Sequence, residues 1–153
     1  MEPIIIRDAT MADMPVLLQF EQGVISAERP FDVTLDDDPI NYYDLEQLIT
    51  ASHIRLVVAQ SGDEVIGSGY ARIETAKPYS RHRRYAYLGF MFVKENWHGK
   101  GVNKMIIEAL KEWTLEQGIN EMRLEVYNEN VSALKAYEKV GFVRYMIEMR
   151  MGI

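Results

Sequence analysis

Apolar residues recur along this chain in two rhythms, one of period two and one near 3.6, and the switches between them mark out ten elements. Pro3-Ile4-Ile5-Ile6-Arg7 reads as a first strand. Thr10-Met11-Ala12-Asp13 reads as a capped helix start, with an acid where a capping box expects Glu or Gln. Met14, Leu17, Leu18 and Glu21 follow at helical spacing, with Glu21 expected on the flank. Ser26 to Tyr43 shows no period, and a connector of that size is a place to look for function. A short helix is predicted from Asp44 to Ser52, with Leu45, Leu48 and Ile49 inward.

Strands come next. Ile54 to Gln60 and Glu64 to Thr75, joined by the turn Ser61-Gly62-Asp63, read as a hairpin. A polar, basic loop from Lys77 to Arg84 leads into the strand Tyr85 to Val93. Val102, Met105, Ile106, Ala109, Leu110 and Trp113 then form one apolar stripe on a helix over 102–117, which Gly118 stops. Burying such a stripe is worth on the order of 10 kcal/mol before entropy costs, at ~1.5–3 kcal/mol per large side chain. Met122, Leu124 and Val126 alternate in a fifth strand. A second amphipathic helix runs from Asn130 to Val140 with Ala133, Leu134, Tyr137 and Val140 on one side, and Phe142 to Met151 reads mostly as strand, broken near Val143.

The order is β-α-α-β-β-β-α-β-α-β. Tight connections make the early strands antiparallel. A helix joining Tyr85–Val93 to Met122–Val126 makes that pair parallel. The expected fold is α/β (α+β): a mixed, mostly antiparallel central sheet with helices on both faces, in one domain spanning residues 1–153.

Composition narrows the chemistry. There is no cysteine, so disulfides, thiolate metal sites and a cysteine nucleophile are excluded. His53, His82 and His98 stand far apart, so no metal site is expected. The nine methionines are spread through the elements and read as core filler. The start, MEPIIIRDAT, reads as neither a signal peptide nor a membrane span, and the cytoplasm is the expected location. A net charge of −6 argues against nucleic-acid binding. Lys94, Lys100 and Lys104, with His98 beside them, nevertheless form a basic island that suits a small anionic ligand.

That island surrounds the segment with the clearest chemistry, Val93-Lys94-Glu95-Asn96-Trp97-His98-Gly99-Lys100-Gly101-Val102-Asn103-Lys104. A strand ends, two glycines turn the chain, and a long helix begins. Glycine lets backbone approach a ligand, and a helix N-terminus offers unpartnered N–H groups to an anion. A plain strand-to-helix turn would use the same two glycines. The segment matches neither the phosphate-binding P-loop nor the dinucleotide fingerprint.

Leu88 to Leu110 resembles the acetyl-CoA-binding motif of the GNAT N-acetyltransferase superfamily: a strand ending in Val, an aromatic–[Arg/Gln]-x-x-Gly-x-[Gly/Ala] segment, then an amphipathic helix. Downstream, Leu124 to Asn130, then Ala133, Tyr137-Glu138-Lys139 and Gly141-Phe142, resemble the family's Asn-x-x-Ala-x-x-x-Tyr-x-x-x-Gly-Phe ending. The order of elements agrees along nearly the whole chain. Two departures stand out: His98 where the family usually has Arg or Gln, and Asn103 where it usually has Gly or Ala.

The resemblance implies roles by position. Met91, Phe92 and Val93 would offer bulged backbone to the pantetheine arm and a backbone N–H to the thioester carbonyl. His98, Gly99, Lys100, Gly101, Val102, Asn103 and Lys104 would face the pyrophosphate. Asn130 and Ala133 would flank the pantetheine, Asn130 being equally suited to cap its helix. Tyr137 stands at the family's proton-donor position, though its spacing also suits a core aromatic. The family's usual base position, a Glu on the fourth strand, holds Tyr87, and no carboxylate lies on that strand. Tyr87 holding a water, Glu28, Glu74, the Asp36–Asp38 run and bulk water all remain open as the base.

The implied reaction is N-acetylation of a primary amine by direct attack on acetyl-CoA. The acceptor would be a small molecule or amino-acid-like amine, held among the Arg29–Tyr43 segment, the Lys77–Arg84 loop and the fourth strand. Two alternatives stand beside it: a non-catalytic acyl-CoA-binding module, and an enzyme acting on a protein N-terminus or lysine. Neither nucleic acid nor membrane is an expected partner; a homodimer is compatible with the family.

Overall fold

A computed structural model describes residues 2–153. The strands are β1 (Ile4–Asp8), β2 (Ile54–Ser61), β3 (Glu64–Thr75), β4 (Arg84–Val93) and β5 (Met122–Arg123). The helices are α1 (Met14–Glu28), α2 (Leu45–Thr50), α3 (Val102–Glu116) and α4 (Val131–Lys139). The sheet order is β1-β2-β3-β4-β5, antiparallel as far as β4, with β5 parallel to β4 as the intervening helix required.

β2 is buried on both sides, and its alternation divides the core in two. Leu56 and Val58 pack with Leu17, Phe20, Val24, Leu45 and Leu48 under α1 and α2. Val57 and Ala59 pack with Val102, Ile106 and Leu110 under α3. Helices therefore cover both faces. The stripe of α3 is turned slightly from the predicted one: Ile107 and Thr114 are buried, whereas Met105 is 36% exposed.

A bulge in β4 is the feature that shapes the site. Ser68 pairs with Phe92 and Tyr70 with Gly89, so Phe90 and Met91 together oppose the single residue Gly69. Phe90 takes the left-handed φ of +53°. Its carbonyl accepts a 2.9 Å hydrogen bond from Ser68 Oγ, which compensates part of the broken ladder. The extra residue reverses the alternation. Ala86 and Leu88 point toward α3, but beyond the bulge Phe90 and Phe92 point toward α1, and Met91 and Val93 take over the α3 face.

Three expectations need correction. Glu21 is not on the flank of α1 but 1% exposed, because its Oε2 accepts the backbone N–H groups of Tyr42 and Tyr43, each at 2.8 Å. Leu18, its neighbour on the predicted stripe, is exposed instead. The fifth strand is only two residues long, since β4 turns away after Tyr87 and leaves Leu124 and Val126 without a ladder partner. The strand expected over Phe142–Met151 does not form. A strand needs a partner for its backbone groups, and this segment meets none among the described residues; Arg144 to Glu138 (3.1 Å) and Arg150 to Asp32 (3.4 Å) tie it to the surface.

Candidate active site

The chain leaves the bulge into a built turn. Lys94 N–H donates to the carbonyl of Ile66 (2.9 Å), Glu95–Trp97 makes one 3-10 turn, and the His98 ring folds back so that Nε2 lies 2.8 Å from the carbonyl of Val93. Gly99 and Gly101 follow at φ +76° and +79°, and a Cβ added to either would meet nothing within 4 Å. These glycines answer to backbone conformation, and the space over them is open to a ligand. Gly101 is the N-cap of α3 and supplies no side-chain cap, and no acid lies in the first turn. The N–H groups of Val102, Asn103 and Lys104 therefore start the helix uncapped, a receptive end for an anion.

The basic island is smaller than its sequence suggests. Lys94 is paired with Glu64 at 2.9 Å. Lys100 lies over the Trp97 ring at 5.3 Å. Lys104 enters no salt bridge among the described residues. Lys100 and Lys104 thus carry the positive charge that remains beside the helix end.

α4 closes the other side. The Asn130 side chain caps it, accepting from Ala133 N–H at 3.2 Å, so its structural role is realised. No residue of α4 is fully buried; the helix stands over a cleft. Met91, Val93, His98, Asn103, Ala133 and Tyr137 share the lining of that cleft, whose volume is about 210 Å³. The cleft thus gathers predicted residues from β4, the glycine turn, α3 and α4. Tyr137 stacks edge-on against Phe142 at 5.9 Å. Burial raises its hydroxyl above the ordinary tyrosine range, Asn103 pulls it back, and Glu28 adds to the rise. Asn103 and Tyr137 line the same cleft. The phenol keeps its proton at neutral pH and is available as a donor.

Phe92 does not line this cleft. Its ring packs on Phe20 at 4.7 Å across the opposite face, so only its backbone can meet a ligand on the α3 side. Tyr87 also lies across the sheet, with Tyr70, Arg72 and Glu74. The Arg72 guanidinium sits 5.5 Å from the Tyr70 ring and 5.4 Å from the Tyr87 ring, and it pairs with Glu74. The Tyr87 hydroxyl donates to Glu125 Oε1 at 2.7 Å. Burial, then the bond to Glu125, hold that hydroxyl far above the ordinary range.

The aperiodic segment after α1 covers this second face. Phe31 stacks on Tyr127 at 6.4 Å, and Tyr127 donates to Asp32 Oδ2 at 2.9 Å. Hydrogen bonds from the Thr34 side chain, its backbone N–H and Tyr127 hold Asp32 down to about 2. Glu28 is raised by burial and by the charge of Asp32, while the Tyr42 hydroxyl opposes the rise. Among the carboxylates considered as bases, Glu74 is tied to Arg72, and Asp36, Asp37 and Asp38 are exposed, with Asp38 on Arg29. The Lys77–Arg84 loop turns elsewhere: Arg81 to Arg84 line a hollow of about 440 Å³ with Gly118, Ile119 and Asn120.

Glu125 is the residue that the sequence reading passed over. The available signal was its parity. Arg123, Glu125 and Tyr127 alternate with the apolar Met122, Leu124 and Val126, and Arg123 is the register partner of Tyr87.

Comparison with known proteins agrees with this architecture. The acetyltransferase (GNAT) family model matches residues 22–142. An aminoglycoside N(6')-acetyltransferase type 1 from Stenotrophomonas maltophilia is 26% identical over 140 residues, covering 90% of this chain and 84% of that protein. A tetramutant of the BH1408 protein from Bacillus halodurans shares the fold with a TM-score of 0.86 at 20% identity, covering 97% of this chain and 99% of that one. A predicted acetyltransferase from Clostridium acetobutylicum, solved with acetyl-CoA, has a TM-score of 0.77 at 14% identity, covering 98% of this chain and 96% of that one. With the family model spanning most of the chain and the uncapped helix end and cleft in place, the protein belongs to the GNAT family of acetyl-CoA-dependent N-acetyltransferases.

Proposed function

We propose that this protein moves the acetyl group of acetyl-CoA to the primary amine of a small or amino-acid-like acceptor by direct attack. The observation that carries the reading is the parting of β4 from β5 after the Tyr87–Arg123 pair, which opens a cleft between a bulged strand, an uncapped helix N-terminus and a half-buried tyrosine.

The residues fit the co-substrate. The backbone of His98 to Lys104 would hold the pyrophosphate, with Lys100 and Lys104 adding charge. Met91, Phe92 and Val93 would pair through their backbone with the pantetheine arm, beside Asn130 and Ala133. A backbone N–H on the bulged strand would stabilise the oxyanion as the carbonyl is attacked. Tyr137, protonated at neutral pH, would donate to the departing sulfur. Tyr87 belongs to the acceptor side. That side carries Glu28, Asp32, Glu74 and Glu125 against Arg72, Arg123 and Arg150, an acidic excess that suits a cationic amine. The relative from S. maltophilia, named for aminoglycoside acetylation, supports an amine acceptor of small-molecule size.

The reading places the reaction in the cytoplasm, where acyl-CoA is made and used. It also extends to a homodimer, supported by Tyr145, Ile147 and Met149, which are 86%, 81% and 88% exposed.

The test is thiol release from acetyl-CoA with purified protein and four acceptor sets: kanamycin, polyamines, free amino acids, and peptides offering an N-terminus or a lysine. Turnover confined to the small amines is expected. Turnover confined to peptides would overturn the acceptor class, and no turnover with any amine would overturn the enzymatic reading.

A further inference from the structure

We infer that the hollow between the β3–β4 loop and the end of α3 is a second ligand site, which takes the phosphate group of a small phosphate ester. The site stands apart from the acetyl-transfer reading. The cleft described above lies at the first turn of α3, and this hollow lies past its last. α3 has 15 residues, so the two are separated by about 22 Å along the helix, at 1.5 Å per residue.

Charge is the first ground. Lys77-Pro78-Tyr79-Ser80-Arg81-His82-Arg83-Arg84 holds four cations and no acid, in a chain of net charge −6. Two of the four have structural partners. Lys77 Nζ lies 5.9 Å from the centre of the Tyr79 ring. Arg84 Nη2 donates to the Gln117 carbonyl at 3.1 Å, where the negative end of α3 calls for a cation. Arg81 and Arg83 have none: neither enters a salt bridge or a side-chain hydrogen bond among the described residues. Both line the hollow of about 440 Å³ beside Arg84, and among the described residues no carboxylate side chain shares that lining. Three guanidiniums on one concavity repel one another, and an anion held between them offsets the repulsion.

Shape is the second ground, because the walls are pinned without a ligand. His82 Nδ1 lies 3.0 Å from Asn120 Oδ1, which joins the loop to the chain after α3. The Ala76 N–H donates to the Arg83 carbonyl at 2.8 Å and closes the base of the loop. Gly118 turns the facing segment at φ +75°, and a Cβ there would meet nothing within 4 Å. Ile119 is buried just beyond it, its N–H donating to the Thr114 carbonyl at 3.1 Å.

The ligand follows from the donors. A guanidinium is planar and presents paired N–H groups, which match the oxygens of phosphate and of carboxylate. Charge and oxygen count separate these two. A phosphate monoester brings about two negative charges and three acceptor oxygens, enough to engage Arg81 and Arg83 together. A carboxylate brings one charge and two oxygens. The hollow has the volume of a small-molecule pocket and exceeds what a lone phosphate fills, which favours an ester over the free ion.

The test titrates nitrogen-15-labelled protein with glucose 6-phosphate, inorganic phosphate, citrate and hexaglutamate at low salt, following backbone amides by NMR. Glucose 6-phosphate should shift the amides of residues 81–84 and 117–120 saturably, with a dissociation constant below about 1 mM. Saturating CoA should not displace it. Arg81→Gln with Arg83→Gln should weaken it at least about tenfold, and Arg81→Lys with Arg83→Lys should weaken it less. Acetyl-CoA affinity should stay within about twofold in both variants, which also shows that they are folded. Glucose 6-phosphate bound more tightly than inorganic phosphate supports the ester, and equal binding overturns it. Citrate or hexaglutamate bound more tightly than either overturns the phosphate. No saturable shift, equal affinity in the glutamine variant, or displacement by CoA overturns the site. Acetyl transfer is read separately, by thiol release, and stands or falls on that assay.

Discussion

Nε2 of His98 lies 2.8 Å from the carbonyl oxygen of Val93, so the ring ties the end of β4 to the start of the glycine turn. A carbonyl only accepts, so this nitrogen carries the proton. The residue that departs from the family's usual Arg or Gln therefore acts on the shape of the turn. His98→Ala should raise the KM for acetyl-CoA about three- to tenfold with kcat within about twofold, as steady-state kinetics would read.

Gly101 holds φ +79° with open space above it. Gly101→Ala should cost about 1–2 kcal/mol, the penalty of a left-handed residue with a Cβ, and should weaken CoA binding about tenfold by placing a methyl over the helix end. Gly118, at φ +75° and likewise uncrowded, is the control. Gly118→Ala should lower the melting temperature by a similar amount and leave CoA affinity unchanged. Calorimetry reads both quantities.

Gly67 answers to crowding instead. A Cβ there would lie 2.8 Å from the Phe92 carbonyl oxygen and 3.2 Å from Ile106 Cδ1. The carbonyl is backbone and cannot swing aside. Gly67→Ala should destabilise by about 1–3 kcal/mol, and should raise the acetyl-CoA KM because the displaced strand is the one proposed to meet the pantetheine. Unchanged kinetics in a folded variant would separate that strand from the cofactor.

Tyr137→Phe removes the proposed donor and keeps the ring on Phe142. A fall in kcat of about 10- to 100-fold is expected, with acetyl-CoA KM within about threefold. Because the hydroxyl is raised above its ordinary range, wild-type activity should show no alkaline fall from this group below about pH 10. A pH–rate profile of both proteins checks this.

Asp13 accepts from Arg7 at 2.8 and 2.9 Å and from Thr10 N–H at 2.8 Å, and it is 7% exposed. The Arg7 hydrogen bonds, with help from Thr10, hold its carboxyl below the ordinary range. The folded value lies below the unfolded value of about 3.9. The contribution is therefore complete above about pH 4 and is lost as pH falls through the folded value. Asp13→Asn should lower the melting temperature by about 4–8 °C at pH 7, for a loss of about 2 kcal/mol. Thermal melts should show the gap closing below pH 4.

The sequence by itself determined what local period and local chemistry can carry. It marked the strand that ends at Val93, the glycine turn, the stripe of α3, the Asn130 cap and the parallel pairing that a helical crossover demands. Those features depend on residues within a few turns of one another. Tertiary structure decided the rest, because each remaining feature depends on register between distant segments. The Phe90–Met91 bulge exists only opposite Gly69, and it reversed the faces of β4 beyond it so that Met91 and Val93 line the cleft while Phe92 does not. The burial of Glu21 follows from the backbone of Tyr42 and Tyr43, more than twenty residues away. The expected last strand failed for want of a partner, which no periodicity can reveal. The bond from Tyr87 to Glu125, residues thirty-eight apart, likewise joins β4 to the chain just beyond β5.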